Sequence, residues 1–197
     1  TLRYTLMGFE RNYPLRIPSN QFNKLFFSTI CITQLNPYFI TGFCDAESSF
    51  QIVIIKNKNS KLGWSVQPFF TIGLHSRDLV LLSKIKSYFS CGTIVKNEIQ
   101  NEVSFRVSSL QDLTEKIIPH FLNYPLLTQK KADFLLFKQA TDLLLKKSHL
   151  TMEGLQELVN IKSSMNLGIS NDLKLSFINT VPTQRLIIKT TNIPDFN

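Results

Sequence analysis

The side chains best placed for chemistry are two acids, Asp45 and Glu47, in the stretch Phe39-Ile40-Thr41-Gly42-Phe43-Cys44-Asp45-Ala46-Glu47-Ser48-Ser49-Phe50. Gly42 and Ala46 are four residues apart, so on a helix they share one face, bare enough for a second helix to pack closely against it. Downstream, residues 48–109 hold eight Lys or Arg against three Asp or Glu, whereas residues 151–197 hold four of each. The net charge of +8 is therefore concentrated just after the two acids, and a basic surface of that kind attracts a polyanion. Other chemistries lack their groups. Cys31, Cys44 and Cys91 are far apart with no C-x-x-C pair, which supports neither a zinc site nor a disulfide framework and fits a reducing compartment. His75, His120 and His149 lack metal-ligand spacing and are expected to cap or lie at the surface. No phosphate-cradling Gly loop is present. No apolar run reaches the roughly 18–20 residues of a membrane span, so no membrane partner is expected.

The elements that must position the acids follow from capping and periodicity. Asn36-Pro37 is a strong helix start, and the helix is expected to run to about Ala46 with Phe39, Ile40, Phe43 and Cys44 on its apolar stripe. From Ser49 the period becomes two: Phe50, Ile52 and Ile54 point one way, Gln51, Val53 and Ile55 the other. A loop over 56–63 leads to a second strand alternating Trp64, Val66, Phe70, Ile72 and Leu74 against Ser65, Gln67, Phe69, Thr71 and Gly73. Pro68 in that strand requires an edge or a bulge. Ser76 is expected to cap a helix bearing Leu79, Leu82, Ile85 and Phe89, followed by strands over 92–97 and 102–108. Ser109 with Asp112 starts a helix to about His120, a long helix spans 128–147, and Thr151 caps another to about Met165. The order predicts an α+β layer, four antiparallel strands with helices on one face. The other face carries Gln51, Asn57, Ser65, Gln67, Thr71, Ser104, Arg106 and Ser108, which is either a solvated face or a binding face.

The motif stretch resembles the LAGLIDADG motif of homing endonucleases and intron maturases, in the branch reading roughly W-F-x-T-G-F-x-D-A-E-G-S-F. The similarity extends through TIGLHSRD, EKIIPHFLNYPLLTQKKADFLLFKQA and HLTMEGLQELVNIKSSMNLG, covering about residues 36–197. It implies the αββαββα homing-endonuclease fold with a saddle-shaped sheet, and two motif helices packed through small residues such as Gly42 and Ala46. It also implies that Glu47 is the catalytic, Mg2+-binding acid beside the Ala46 carbonyl, with Asp45 structural at the helix end. The eight outward polar residues then correspond to the surface that lies in the major groove of double-stranded DNA. Arg106 and Gln67 would read bases, and Lys56, Lys58 and Lys61 would meet phosphates. The sequence departs from that pattern at several positions. Val53 and Ile55 stand where polar residues are usual, Ser48 replaces a Gly and is expected to crowd the site, and no water-ordering polar residue stands near Leu74.

Three segments result: a leader over 1–35, the domain over 36–167, and a linker over 168–197 towards a second copy. With one motif present, that copy is expected in cis or as a homodimer, and the helix face with Tyr38, Thr41 and Gly42 should lie open to solvent until it is met. The chain starts at Thr1, and Arg3, Arg11, Arg16 and Lys24 against only Glu10 make the leader either a mitochondrial targeting segment or a read-through leader. The expected function is Mg2+-dependent, sequence-specific DNA cleavage in intron homing, in mitochondria. The rivals are an intron maturase that binds RNA without cleaving, and a vestigial DNA-binding module.

Overall fold

Asn36 opens the first helix: its Oδ1 accepts the Tyr38 N–H at 2.8 Å, and Pro37 takes the first position, where no N–H is needed. The computed structural model describes residues 35–188. The leader up to residue 34 and the end of the chain from residue 189 lie outside the described residues. Helix α1 (Pro37–Glu47) passes directly into β1 (Ser48–Lys56) with no residue between. After them come β2 (Trp64–His75), α2 (Leu79–Phe89), β3 (Thr93–Asn97) and β4 (Glu102–Val107). The helices α3 (Leu110–Asp112), α4 (Ile118–Asn123), α5 (Lys130–Leu145), α6 (Met152–Ser163) and α7 (Asn171–Ser176) complete the order.

The strands form one antiparallel sheet in the order β1-β2-β4-β3, the α+β layer expected. Pro68 pairs with Ile52 of β1, while β4 joins β2 only from Phe70 onwards. At Pro68 the strand thus has one neighbour, the edge position that proline needs. The period of two holds: Phe50, Ile52, Ile54, Phe70, Ile72, Val103, Phe105 and Val107 are all buried under the helices. Phe50 is the hub, with its ring centroid 5.2 Å from Phe70 and 5.4 Å from each of Phe121, Phe134 and Phe137. Because Phe50 lies three residues after Glu47, this ring cluster anchors the strand that starts at the acid.

The buried side of α1 is Ile40, Thr41 and Cys44: Ile40 and Cys44 lie on the expected stripe with Phe43 partly buried beside them, but Thr41 joins them and Phe39 does not. Phe39 is 46% exposed and stacks on half-buried Phe43, with centroids 6.0 Å apart. Thr41 turns inward because four polar groups satisfy one another there. Its hydroxyl donates to the Tyr124 carbonyl at 3.0 Å and accepts from His120 Nε2 at 3.2 Å, leaving His120 Nδ1 to accept from the Tyr88 hydroxyl at 3.1 Å. His120 is therefore a core histidine and not a surface one. Burial pushes its pKa from 6.5 down to about 4, and protonation would set an N–H against the Tyr88 hydroxyl proton. Burial also raises the Tyr88 pKa.

The pH dependence has a definite sign. Between pH 6.5 and about 4 the unfolded chain holds a proton on His120 that the folded chain does not, so stability is complete above 6.5 and falls as pH falls towards 4. Urea midpoints at about pH 7.5 and about pH 4.5 should show wild type losing about 2 kcal/mol more than His120→Gln. Equal losses would remove the assignment.

Three further boundaries differ from expectation. His75, not Ser76, caps the 3-10 turn Ser76–Asp78 that precedes α2, its Nδ1 accepting the Arg77 N–H at 3.3 Å. The helix begun by Ser109 widens into a π turn over Leu113–Ile117, where Ile118 N–H donates to Leu113 O, immediately before Pro119, which has no N–H to give. The stretch after residue 167 is not a bare linker over its described part. Ser170 caps α7, Leu173 and Phe177 are buried, and the Phe177 ring packs 5.4 Å from Trp64.

Candidate active site and nucleic-acid interface

The last turn of α1 is held by groups far along the chain. Asp45 Oδ2 accepts the N–H groups of Leu127 (2.9 Å) and Thr128 (3.1 Å), and Oδ1 accepts the Thr128 hydroxyl at 2.5 Å. Asp45 therefore ties α1 to the approach of α5, and its carboxylate is occupied. Lys130 answers from α5: its Nζ donates to the carbonyls of Cys44 (3.2 Å), Ala46 (3.1 Å) and Ser48. Burial lowers the Lys130 pKa, opposed by the nearby carboxylates of Asp45, Glu47 and Asp133. Cys44 beneath this turn is pushed up to about 12 by burial, which makes it an inert thiol. Ser48 does not crowd the site, since it is buried and its hydroxyl donates back to the Cys44 carbonyl at 2.6 Å.

With Asp45 engaged, Glu47 is the acid left exposed at the helix end. Beside it runs an open face: Gly42 and Ala46 are exposed, and a Cβ built on Gly42 would meet nothing within 4 Å. Tyr38 (68% exposed) lies on the outer side, and Thr41 does not. Among the described residues no group of three or more His, Cys, Asp or Glu could enclose a metal ion. The donors at the helix end are all oxygen: one exposed carboxylate, and an Ala46 carbonyl with one lone pair already given to Lys130. That set fits a hard divalent cation such as Mg2+, which is commonly held by one or two carboxylates with waters and phosphate oxygens completing its shell.

The outward face of the sheet starts next to Glu47. Register aligns Ser49, Thr71, Arg106 and Thr93 in one row across all four strands, with Gly73, Ser104 and Val95 in a row beyond. In the other direction lie the pairs Gln51–Phe69, Val53–Gln67 and Ile55–Ser65. Gln51, Gln67 and Arg106 are exposed, while Ser65, Thr71 and Ser104 are half-buried among their neighbours. Gln51 donates to the Ser49 hydroxyl at 3.0 Å. The Arg106 guanidinium lies 5.3 Å from the Phe69 ring centroid. Two expected members are not on the sheet. Asn57 belongs to the turn after β1, where its side chain accepts the Asn59 N–H, and Ser108 is exposed past the end of β4. Lys58 and Lys61 are exposed in that same turn, about 26 Å along β1 from the acid at the usual strand rise. Lys56 leans over Trp64 at 5.8 Å.

Sequence reasoning missed Lys130, which resembles any lysine of a helix start, as well as Ser49, Thr93 and Val95. It had placed Phe69 on the outward parity without giving it a part. The alternation that gave the other outward residues could have found all but Lys130.

Comparison with known proteins agrees with this architecture. A family model described as LAGLIDADG endonuclease matches residues 40–141. Probable intron-encoded endonuclease 3 of Neurospora crassa is 44% identical over 208 aligned residues, covering 98% of this chain and 39% of its own length. An uncharacterized 50.9 kDa protein in ND4 intron 1 of Podospora anserina is 41% identical over 61% of this chain, or 27% of its own length. The LAGLIDADG meganuclease I-CpaMI, solved bound to uncleaved DNA, superposes with a TM-score of 0.78 at 44% identity, over 82% of this chain and 55% of that one. I-SmaMI, bound to an uncleaved DNA target in the presence of calcium ions, gives 0.79 at 41% identity, again over 82% of this chain and 55% of that one. This chain spans about two fifths of the Neurospora relative and little more than half of the solved chains. An acid-ended helix with a bare outer face, set at the margin of a polar saddle, thus goes with both the matched model and the matched relatives, and the chain belongs to the LAGLIDADG endonuclease family.

Proposed function

We propose that this chain supplies one motif-bearing half of an intron-homing, sequence-specific DNA endonuclease, with Glu47 as its metal-binding acid. The observation that carries the reading is the exposed Glu47 carboxylate at the end of a helix whose outer face is left bare by Gly42 and Ala46. A second motif helix against that face, in cis or from a second copy, brings a second acid beside the first, one for each DNA strand. Bound Mg2+ would supply activation of water and neutralise charge on the scissile phosphate. Glu47 would hold it, with the free lone pair of the Ala46 carbonyl as a neighbour. Lys130 fixes the carbonyls on both sides of Glu47 and adds positive charge where a phosphate would sit. The DNA-bound state of I-CpaMI and I-SmaMI supports duplex DNA as the ligand, and calcium with I-SmaMI supports a divalent cation. The ND4 intron origin of the Podospora relative supports a mitochondrial setting. The test is a plasmid-linearisation assay on an intronless host-gene junction in Mg2+, with this chain alone and with its partner half. Absence of cutting in every combination would sink the reading.

The groove face divides into reading and positioning groups. Arg106, held by Phe69 and flanked by Thr71 and Thr93, is set for a bidentate contact to a guanine edge; Gln67 and Gln51 offer amide donors and acceptors nearby, and Val53 and Ile55 suit thymine methyls. Arg106→Ala should relax discrimination at one or two base pairs, by about 1–3 kcal/mol. Lys58→Ala and Lys61→Ala should instead weaken binding to every sequence, each flattening the slope of log affinity against log salt by roughly one. Competition binding over single-base variants, repeated at several salt concentrations, separates the two classes. Identical sequence-independent losses for all three would refute the division.

A further inference from the structure

The junction carrying Glu47 is tied on both sides to the first turn of α5. On the α1 side, Asp45 holds the N–H groups of Leu127 and Thr128, and Lys130 holds the carbonyls of residues 44, 46 and 48. On the β1 side, the Asn166 side-chain amide donates to the Phe50 carbonyl at 2.8 Å, and Asn166 N–H donates to Asp133 Oδ1 at 3.2 Å. Gln129, at the N-cap of α5, makes no side-chain capping bond of its own. What holds this turn from outside is Arg185, which lies beyond α7. Its Nη2 pairs with Asp133 Oδ2 at 3.0 Å and donates to the Gln129 carbonyl at 3.4 Å, while Nη1 reaches the Ser164 carbonyl at 3.5 Å. The Asp133 side chain is only 13% exposed, so this pair is shielded from water on the acid's side. Gln129 returns a bond to the same segment, its Nε2 donating to the Ile188 carbonyl at 2.8 Å.

We propose that Arg185 is a positioning residue for Glu47, clamping the start of α5 through Asp133 and Gln129 so that Lys130 and Asp45 hold the acid's junction in place. The proposal rests on the endonuclease reading for its effect on cleavage, though not for its effect on the junction. The reason it matters is geometric: Lys130 lies between Gln129 and Asp133, so a shift of that turn moves the ammonium that grips the carbonyls flanking Glu47. A group acting at a reacting centre loses rate steeply when displaced by about an ångström. DNA binding, by contrast, belongs to the sheet face, which Arg185 does not touch.

The experiment compares wild type with Arg185→Ala and Arg185→Lys in two readouts. Amide exchange in the 197-residue chain needs no activity. In Arg185→Ala the Leu127 and Thr128 amides should exchange about tenfold faster, while those of Val103 and Phe105 in β4 keep their rates. In the assembly that cleaves, single-turnover cutting at saturating DNA should slow about tenfold at unchanged DNA affinity. Arg185→Lys keeps one charged contact to Asp133 and should recover part of both. Unchanged exchange at 127 and 128 overturns the proposal, as does equal acceleration in β4, which would make Arg185 a general stabiliser. Faster exchange at 127 and 128 with cutting at the wild-type rate also overturns it. If wild type itself never cuts while the amides respond as expected, the clamp on the junction stands and the endonuclease reading falls.

Discussion

Glu47→Gln should reduce DNA cleavage by about a thousandfold or more while leaving folding and DNA affinity near their wild-type values. The size follows from the several kcal/mol that a metal contributes to stabilising charge in phosphoryl-type transition states, each 1.4 kcal/mol being tenfold in rate. The selectivity follows from exposure. Glu47 projects from the helix end into solvent, so an amide of the same shape opens no cavity, and a stability change within about 0.5 kcal/mol is expected. Asp45→Asn, two residues away, is the informative contrast. It weakens the carboxylate bonds to Leu127, Thr128 and the Thr128 hydroxyl, so it should lower unfolding stability by about 1–2 kcal/mol. Cleavage rates and urea midpoints of the two variants decide the matter. Wild-type cutting by Glu47→Gln in Mg2+ would show that the acid is wrongly assigned.

The second large effect is expected at Gly42, and its two readouts should move in opposite directions. A Cβ at Gly42 meets nothing within 4 Å in this chain, and leucine is a better helix former than glycine by up to about 1 kcal/mol. Gly42→Leu should therefore leave the melting temperature of the chain unchanged or slightly raised. In the assembled enzyme the same side chain would stand where a second motif helix must approach. Helix axes that meet through small residues cannot absorb a leucine without separating, and the paired acids would separate with them. Cleavage of both strands should be lost, while binding of a half-site by the single chain survives. A Gly42→Leu assembly that linearises its target at the wild-type rate would mean that this face is not the meeting surface.

How far these features were legible in the sequence depended on how local their causes are. The helix start at Asn36-Pro37 and the alternation of β1, β2 and β4 are local, and the strands fell within a residue or so of expectation. Ser49 and Thr93 needed only the same alternation carried one step further. Pro119 was a local sign of the widened helical turn that went unused, and the Leu173–Phe177 pair, four apart, was the sign that the chain packs on past residue 167. Thr41, His120 and Lys130 were not legible in this way. Thr41 is turned inward by partners 79 and 83 residues later, and Lys130 finds its carbonyls 82–86 residues earlier. No spacing in the sequence announces either arrangement, because both arise only once α1, α4 and α5 have come together. The acids show the same division. Residue type and spacing alone do not separate Asp45 from Glu47, which only the family resemblance tells apart; in the fold it is the distant Leu127-Thr128 turn that occupies one and leaves the other open.

The alternation along β1 and β2 has a consequence for how such a chain can change over generations. Phe50, Ile52, Ile54, Phe70 and Ile72 answer to the ring cluster and the helices, whereas Gln51, Val53, Ile55, Gln67 and Phe69 face away from them. Replacements on the second set leave the first untouched, so inheritance can rewrite one surface of these strands while the other is held fixed. A lineage of this protein can thus drift towards new recognition with its scaffold intact, and variation among its descendants should gather on every second residue of the sheet.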